Sequence, residues 1–306
     1  MPKRHRTSHH ALEKDDHQFR PMPTFGNRSP CPALNSLANH GYIPREGTNL
    51  GFWDVFRAVS FVYNLSYVLS FILTLGGFIT SGTFKFDAVP ILRSQKPSTG
   101  RFASLVNCIR SRTIDAFEPV LEKIPTSWRL DLASLAHRGP YKIAHDASLV
   151  HSSGVASTAP DPALLKDLLS YSSNTHDVFG NFKDGMNIVD LANLHRKRLR
   201  STPEALNMFH AIIGLGECAL TWEMLRSSQK TMLFLAVPRG DQYNSVNERD
   251  WESSYIPTPR LKQWLGEERL PDGWWGRGGV RPRKTVGVLQ LSILILKIYS
   301  IVQEGS

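Results

Sequence analysis

Residues 28–45 read RSPCPALNSLANHGYIPR and place a cysteine between two prolines at the start of a short helix. Pro32 suits the first helical position, because its missing N–H would have no partner there. This arrangement makes Cys31 the N-cap of the helix. Its sulfur then faces the free N–H groups of Ala33 and Leu34 and the positive end of the helix dipole, and both effects favour a thiolate.

The local chemistry of Cys31 leaves two interpretations open. A thiolate at a helix N-terminus can act as a metal ligand or a nucleophile, whereas a buried cysteine beside a helix start can also be inert. The stretch closely resembles the signature of the fungal heme-thiolate peroxidases, the family of chloroperoxidase and the unspecific peroxygenases. The resemblance implies that Cys31 is the axial ligand of a heme b iron. It also implies that Arg28 and Asn35 are candidates to bind the heme propionates.

A second stretch, residues 129–153, reads RLDLASLAHRGPYKIAHDASLVHSS. It resembles another signature of the same family, in which a leucine-spaced helix and a His-Gly turn precede a Glu-His-Asp-x-Ser motif. His145, Asp146 and Ser148 match that motif, but Ala144 takes the place of the glutamate. The resemblance implies that His145 holds and polarises a distal acid–base glutamate.

The alanine in this motif bears on a divalent metal site. In the family, the glutamate, the serine and a heme propionate bind a magnesium or manganese ion. Ala144 has no ligand atom, and Ser148 alone is a poor site because Mg²⁺ prefers near-octahedral oxygen ligation. We therefore expect the ion to be absent or weakly held, with Ser148 as the remnant of its site.

The distal acid–base candidate is Glu217, in the helical stretch ALNMFHAIIGLGECALTWEML. Its neighbours one helical turn away are uncharged, and a carboxylate in an apolar pocket can hold or pass a proton near neutrality. The alternative is a glutamate on a helix edge that contacts solvent. The wording GLGECAL resembles the family segment that carries the distal glutamate, which favours the acid–base role. Gly214 and Gly216 would let the backbone approach a flat ligand closely.

Most of the remaining chain has helical patterns. Residues 58–84 form an uncharged run long enough to cross a bilayer, but polar residues and a Gly-Gly pair interrupt it, and a buried helix explains it as well. Other helices are predicted at residues 101–123, from 164, at 188–199, after a cap at Thr202, and at 285–301.

The predicted architecture is one domain. No strand alternation argues for a sheet, and the family resemblance extends over residues 23–302 through a further motif, ERLPDGW, near the C-terminus. The sequence therefore predicts an all-α, multi-helix heme-binding domain of the chloroperoxidase type. A disordered polar tail over residues 1–22 precedes it.

Composition restricts partners and compartment. The 306 residues carry a net charge of +9, but the basic residues occur in small groups such as 195–200 and 277–284, without a nucleic-acid motif. A solvated surface explains them, so we predict no nucleic-acid partner. Three cysteines give no disulfide framework. The N-terminus lacks the apolar segment of a secretory signal, which favours an intracellular, cytoplasmic location over membrane association.

The function predicted from these features is that of a heme-thiolate peroxidase or peroxygenase, an oxidoreductase. The resemblance implies that it uses hydrogen peroxide to oxygenate, or to halogenate, an organic small molecule, with specialised-metabolite biosynthesis as the expected setting. One alternative, motivated by Ala144, is a heme-binding protein that has lost peroxide chemistry and catalyses a non-oxidative rearrangement or cyclisation. Another is a membrane-anchored protein without enzymatic activity, built around residues 58–84.

Overall fold

Helices form the framework of the protein, whose computed structural model describes residues 17–85, 127–171, 175–176, 182–228, 254–275 and 279–304. These residues form eight α-helices, together with a 3₁₀ segment (Leu132–Ala136) and a π-helical segment (Lys262–Gly266). The α-helices are Pro32–Asn39 (α1), Phe52–Tyr63 (α2), Tyr67–Ser81 (α3), Pro162–Tyr171 (α4), Ile188–Arg200 (α5), Met208–Leu225 (α6), Thr258–Leu261 (α7) and Val288–Glu304 (α8).

Short antiparallel strands join these helices, so the protein is mostly helical rather than all-α. The strands are Leu50–Gly51 (β1), Thr83–Lys85 (β2), Ser127–Leu130 (β3), Thr175–His176 (β4), Phe182–Lys183 (β5), Gly185–Met186 (β6), Ser227–Ser228 (β7) and Ser254–Pro257 (β8). Within the described ranges they pair in the orders β1-β3-β2, β4-β5 and β6-β8-β7. Strands of two to four residues are too short to show an apolar and polar alternation in the sequence.

The centre of the core lies where the C-terminal helix α8 packs against α5 and α6. Leu191 and Leu194 of α5, Trp222 of α6 and Leu294 of α8 are fully buried there. Burying a side chain of this size contributes about 1.5–3 kcal/mol relative to leaving it exposed. Helix α6, which carries Glu217, is therefore fixed by packing over its C-terminal part, where its buried residues from Gly214 to Leu225 lie.

The uncharged run at residues 58–84 is divided between two helices instead of forming one. Asn64 ends α2 in the left-handed conformation (φ 52°), and its side-chain amide donates to the Pro282 carbonyl at 2.9 Å. Ser66 then caps α3 by accepting a hydrogen bond from the Leu69 N–H at 3.2 Å. Across the described ranges, no helix combines the length and the apolar character that a membrane crossing requires.

The leucine-spaced stretch that begins at Arg129 was expected to be helical, and this holds only for its second part, the 3₁₀ segment Leu132–Ala136. Its first residues form β3, in which Leu130 pairs with Leu50 of β1, and a 3₁₀ segment follows. The Asp131 carboxylate accepts a hydrogen bond from the Asn49 N–H and so ties the end of β3 to the start of β1. Distant pairing therefore overrides the local helical spacing.

The start of α6 also differs from the prediction. Thr202 does not cap this helix, because its hydroxyl donates to the Leu199 carbonyl at the end of α5. Asn207 is the cap, and its side chain accepts from the His210 N–H at 2.8 Å. The helices predicted from residue 164, at 188–199 and at 285–301 are confirmed with small shifts at their ends, while 101–123 lies outside the described residues.

Part of the polar segment before residue 23 contacts the segment around α1. The ring of His17 stacks on Tyr42 with a centroid separation of 3.9 Å, and the Arg20 N–H donates to the Asn39 carbonyl at 2.9 Å. Residues 17–22 of the predicted tail therefore pack on the segment around α1. The first sixteen residues lie outside the described ranges.

Candidate active site

The helix start predicted around Cys31 is confirmed. Cys31 is the N-cap of α1 with an extended backbone, Pro32 follows it in the first turn, and Gly41 beyond the helix has a φ of 70°. The N–H groups of Leu34 and Ala33 act on the sulfur to lower the pKa of the thiol, although the sulfur accepts no full capping hydrogen bond. The sulfur thus lies at the positive end of a short helix.

Burial is a stronger influence on Cys31 than the helix start. It raises the pKa of the thiol above its ordinary value, and the nearby carboxylates of Glu217 and Glu268 raise it further. The helix start acts toward the thiolate, as predicted, but burial outweighs it and the pKa of the thiol is raised overall. Cys31 is only half-buried, so part of the residue stays accessible. Coordination to a metal cation would deprotonate such a thiol.

The side chain of Asn35 holds the loop that carries the cysteine. Its Oδ1 accepts from the N–H of Ser29 at 2.9 Å and from the Ser29 hydroxyl at 3.0 Å. Its Nδ2 donates to the Ser29 carbonyl at 2.7 Å and to Oε1 of Glu268 at 2.6 Å. Both amide hydrogens are therefore engaged with protein atoms, and supporting the loop accounts for Asn35 without a propionate.

Arg28, the other residue suggested for a propionate, is also buried and bonded to protein. Its Nε donates to Oδ1 of Asn39 at 3.1 Å, and its Nη2 donates to the same oxygen. Its Nη1 donates to the carbonyls of Asn27 and Arg45, at 2.7 and 3.0 Å. That Arg28 binds a heme propionate stays a prediction.

On the distal side, the three residues singled out from the sequence lie together. The Ser148 hydroxyl donates to Oε1 of Glu217 at 3.0 Å, and Nε2 of His145 lies 3.8 Å from Oε2 of Glu217. Within the described part of the chain, Oε2 is buried and accepts no hydrogen bond. A buried carboxylate oxygen of this kind needs a reason, and proton exchange with a ligand is one.

The backbone fixes the tautomer of His145. Its Nδ1 lies 2.6 Å from the Asp146 carbonyl, and a carbonyl can only accept, so Nδ1 carries the hydrogen. Nε2 is then an acceptor in the neutral ring and faces Glu217. The Asp146 carboxylate holds this loop by accepting from Arg138 and from the Gly154 N–H, each at 2.6 Å.

The residues expected to be the remnant of a metal site have other contacts. Ala144 is buried and its backbone pairs with Arg138, so its methyl group brings no ligand atom. The Ser148 hydroxyl, expected beside an ion, instead bonds the carboxylate of Glu217. Ser148 is therefore a hydrogen-bond partner of Glu217 in this structure.

The two glycines before Glu217 have different surroundings. A Cβ on Gly214 would lie 3.0 Å from Cε1 of His195 and 3.6 Å from Cε1 of His145, so this glycine makes room for two imidazoles. A Cβ on Gly216 would meet no atom within 4 Å, among those described. Gly216 therefore borders open space, which agrees with a flat ligand beside α6.

His195 is a neighbour of the site that the sequence analysis missed. It was grouped with the solvated basic residues 195–200, but it is only 1% exposed. Burial, and then the nearby His145, lower the pKa of His195 to about 4. Its position four residues after Leu191, on the apolar side of α5, is the signal that could have indicated burial.

His195 is expected to make the protein less stable in mild acid. The unfolded histidine takes up a proton below about pH 6.5, whereas the folded one stays neutral down to about pH 4. Stability therefore falls as the pH drops through this window, by up to about 3 kcal/mol from His195. Urea midpoints measured from pH 6.5 to 4.5 should fall less steeply in His195→Gln. The exposed His137→Gln control should keep the wild-type slope, and equal slopes in all three proteins would contradict the prediction.

Cys31 and Glu217 together fit a heme bound between them. The carboxylate lies near enough to raise the pKa of the thiol, its Oε2 is buried without a partner, and Gly216 borders open space. A single protein sulfur suits an iron whose remaining in-plane ligands come from a porphyrin. Within the described residues, no group of three or more His, Cys, Asp and Glu side chains is arranged to hold a metal ion by itself.

Comparison with known proteins gives similarities over limited stretches. The chain is 46% identical over 70 residues to an aromatic peroxidase, fscJ, of Fusarium equiseti, which is 22% of this chain and 15% of that protein. It is 33% identical over 76 residues to an aromatic peroxygenase of Coprinellus radians (25% and 29%). It is 40% identical over 65 residues to the dothistromin biosynthesis peroxidase dotB of Dothistroma septosporum (21% and 14%).

These matches span less than a third of each relative, at most 29% of its length. The family comparison is broader, since the model described as "Peroxidase, family 2" matches residues 17–278. That range contains Cys31, His145, Ser148 and Glu217, and it extends through the ERLPDGW motif. The resemblance first noted around Cys31 is therefore confirmed, and the chain belongs to peroxidase family 2, the fungal heme-thiolate chloroperoxidase family.

Proposed function

We propose that the protein is a heme-thiolate peroxidase or peroxygenase that uses hydrogen peroxide to oxidise an organic small molecule. Cys31 is the proposed axial ligand, Glu217 the proposed acid–base residue and His145 its positioning partner. The observation that carries this proposal is the buried Oε2 of Glu217, which lacks a hydrogen bond among the described atoms and lies 3.8 Å from His145. A bound heme would supply the oxidising chemistry, and thiolate ligation favours O–O cleavage.

The distal residues support a two-step proton transfer. Oε2 of Glu217 can take a proton from one oxygen of hydrogen peroxide and return it to the other oxygen. The Ser148 hydroxyl holds Oε1 at 3.0 Å and so orients the carboxylate with Oε2 free. Nε2 of His145, whose lone pair faces Oε2, can share the proton while Glu217 holds it.

The names of the relatives support a substrate class. An aromatic peroxidase and an aromatic peroxygenase match this chain, which favours an aromatic or similarly unsaturated small molecule. The match to a dothistromin biosynthesis peroxidase supports a setting in specialised-metabolite biosynthesis. Oxygen insertion is the reaction that we propose first.

A spectrum of the purified protein tests the proposal. Reduced protein with CO should give the Soret band of thiolate-ligated heme, and hydrogen peroxide should then oxidise a phenol or oxygenate an aromatic probe. Protein that loads heme but leaves peroxide unreacted would contradict the enzymatic proposal. Conversion of an organic substrate without added peroxide would select the alternative of a non-oxidative rearrangement or cyclisation.

Ser148→Ala should lower peroxide-dependent turnover and leave heme binding intact. The substitution removes the hydrogen bond to Oε1 of Glu217, and a bond to a charged group contributes enough to change the rate about tenfold. Stopped-flow measurement of the rate of reaction with hydrogen peroxide, in the variant and the wild type, gives this fold-change.

Ser157→Ala is the matched control, because its hydroxyl bonds the Ala159 carbonyl instead of the distal carboxylate. It should keep the wild-type rate. If a chelator slows the wild type as much as Ser148→Ala does, the serine acts through a metal ion and this prediction is wrong.

A further inference from the structure

Glu268 connects the C-terminal part of the chain to the helix that begins at the cysteine. Its Oε1 accepts from Nδ2 of Asn35 at 2.6 Å, and its backbone carbonyl accepts from Nδ2 of Asn39 at 2.9 Å. Asn35 and Asn39 are four residues apart and so lie on one side of α1. One residue of the ERLPDGW region therefore engages two turns of the helix whose N-cap is Cys31.

The two asparagines pass this contact on to the cysteine loop. Asn35 bonds the N–H, the hydroxyl and the carbonyl of Ser29, two residues before Cys31. Asn39 accepts from the guanidinium of Arg28 through Oδ1. The loop 28–31 is thus held by two side-chain amides, and both of them are oriented by residue 268.

An ionised carboxylate also decides how the Asn35 amide is turned. A carboxylate only accepts, and the Ser29 carbonyl only accepts, so both require Nδ2 of Asn35 on their side. Oδ1 is then left facing the N–H and the hydroxyl of Ser29. If the amide were reversed, Oδ1 of Asn35 would face the Glu268 carboxylate and the Ser29 carbonyl, which are also acceptors. Its Nδ2 would then face the N–H of Ser29, which is also a donor.

The backbone of Glu268 supports a specific use of its side chain. Its φ is +51°, a left-handed conformation in which glycine is the unstrained residue. A glutamate therefore occupies this position at a backbone cost that glycine would not have. The side chain is partly buried beside α1, and Arg28 and Asn35 act to lower the pKa that burial raises.

We propose that Glu268 is a positioning residue for the Cys31 thiolate. Its carboxylate fixes the Asn35 amide, Asn35 fixes loop 28–31, and the loop places the sulfur at the N-terminus of α1. The negative charge of this carboxylate also acts on the cysteine loop, because a single side chain, Asn35, bonds both Oε1 of Glu268 and the carbonyl of Ser29, two residues before Cys31. This inference rests on the proposed role of Cys31 as the axial ligand.

Glu268→Gly removes the carboxylate and relieves the left-handed backbone, so the variant should fold. We expect a substantial part of its ferrous–CO Soret band to move from the thiolate-ligated type to the type without a thiolate. Glu268→Gln keeps the size of the side chain and removes its charge. We expect this variant to keep the thiolate band. Its iron midpoint potential should be more positive, because removing a negative charge near the iron makes reduction easier.

Glu267→Gln is the matched control, because the carboxylate of Glu267 accepts from Nε of Arg269 at 2.7 Å, and Arg269 lies outside α1. It should match the wild type in both measurements. A wild-type band in Glu268→Gly would overturn the positioning role, and an unchanged potential in Glu268→Gln would overturn the effect of charge. If the wild type itself lacks the thiolate band, the proposed function fails, which is a separate result.

Discussion

Cys31→Ala is expected to abolish the thiolate-type Soret band of the reduced CO complex. The sulfur of Cys31 is the soft donor at the start of α1, within reach of the N–H groups of Leu34 and Ala33. Alanine has no donor atom, so any heme that remains bound must find another axial ligand or water. Peroxide-dependent turnover should be lost with the band, because thiolate donation favours O–O cleavage.

Cys218→Ala provides the matched control for this experiment. Cys218 is the other free cysteine among the described residues and is fully buried in α6, where burial raises the pKa of its thiol well above the ordinary value. The variant should keep the thiolate band, at a small cost in stability. If Cys218→Ala loses the band and Cys31→Ala keeps it, the ligand is Cys218 and the assignment to Cys31 is wrong.

Glu217→Gln should reduce peroxide-dependent turnover by about 10²- to 10⁴-fold, the usual contribution of a positioned acid–base group. The glutamine can still accept the hydrogen bond from Ser148 through Oε1, so the local structure should survive. Its amide cannot take up and return a proton at the position of Oε2. Heme content and the CO band should stay at wild-type levels, which separates the loss of proton transfer from a loss of cofactor.

Glu223→Gln tests whether the effect is specific to the distal carboxylate. Glu223 lies on the same helix and is also buried, but its carboxylate bonds Gln290 at 2.8 Å and pairs with Arg226 at 3.4 Å. These contacts give it a structural role, so its variant should retain turnover. If Glu217→Gln keeps the wild-type rate, Glu217 is not the acid–base residue.

The cysteine side of the site was predictable because its determinants are local. Pro32 after the cysteine and Gly41 beyond the helix fix the two ends of α1 within a few residues of Cys31. The ionisation of the thiol was not predictable in the same way. Burial raises its pKa, and so do the charges of Glu217 and Glu268, which come late in the chain.

On the distal side, the sequence predicted which residues form the site but not the contacts between them. Family resemblance selected Ser148 and Glu217, 69 residues apart, yet it placed the serine beside an ion. The observed bond between them depends on how the loop around Ala147 is folded, with a left-handed backbone of φ 62°. His195 was missed because its charged neighbours in sequence suggested an exposed position, whereas its helical position directs it inward.

The errors in the fold have the same physical origin. The pairing of Leu50 with Leu130 joins strands separated by a long stretch of chain, and two-residue strands carry no periodic signal. Asn64 divides an apolar run whose composition alone suggested a single helix. Each of these features is set by tertiary contacts, which local pattern analysis does not contain.

The bond between Asn35 and Glu268 has a consequence for biosynthesis. The two residues are 233 positions apart, so a ribosome adding about 5–20 residues per second needs roughly 10–50 s to make the second after the first. During that interval the nascent Cys31 loop lacks the group that orients it. Stable ligation through the Cys31 sulfur should therefore be established late, and chains released before residue 268 should show a weaker thiolate-type band.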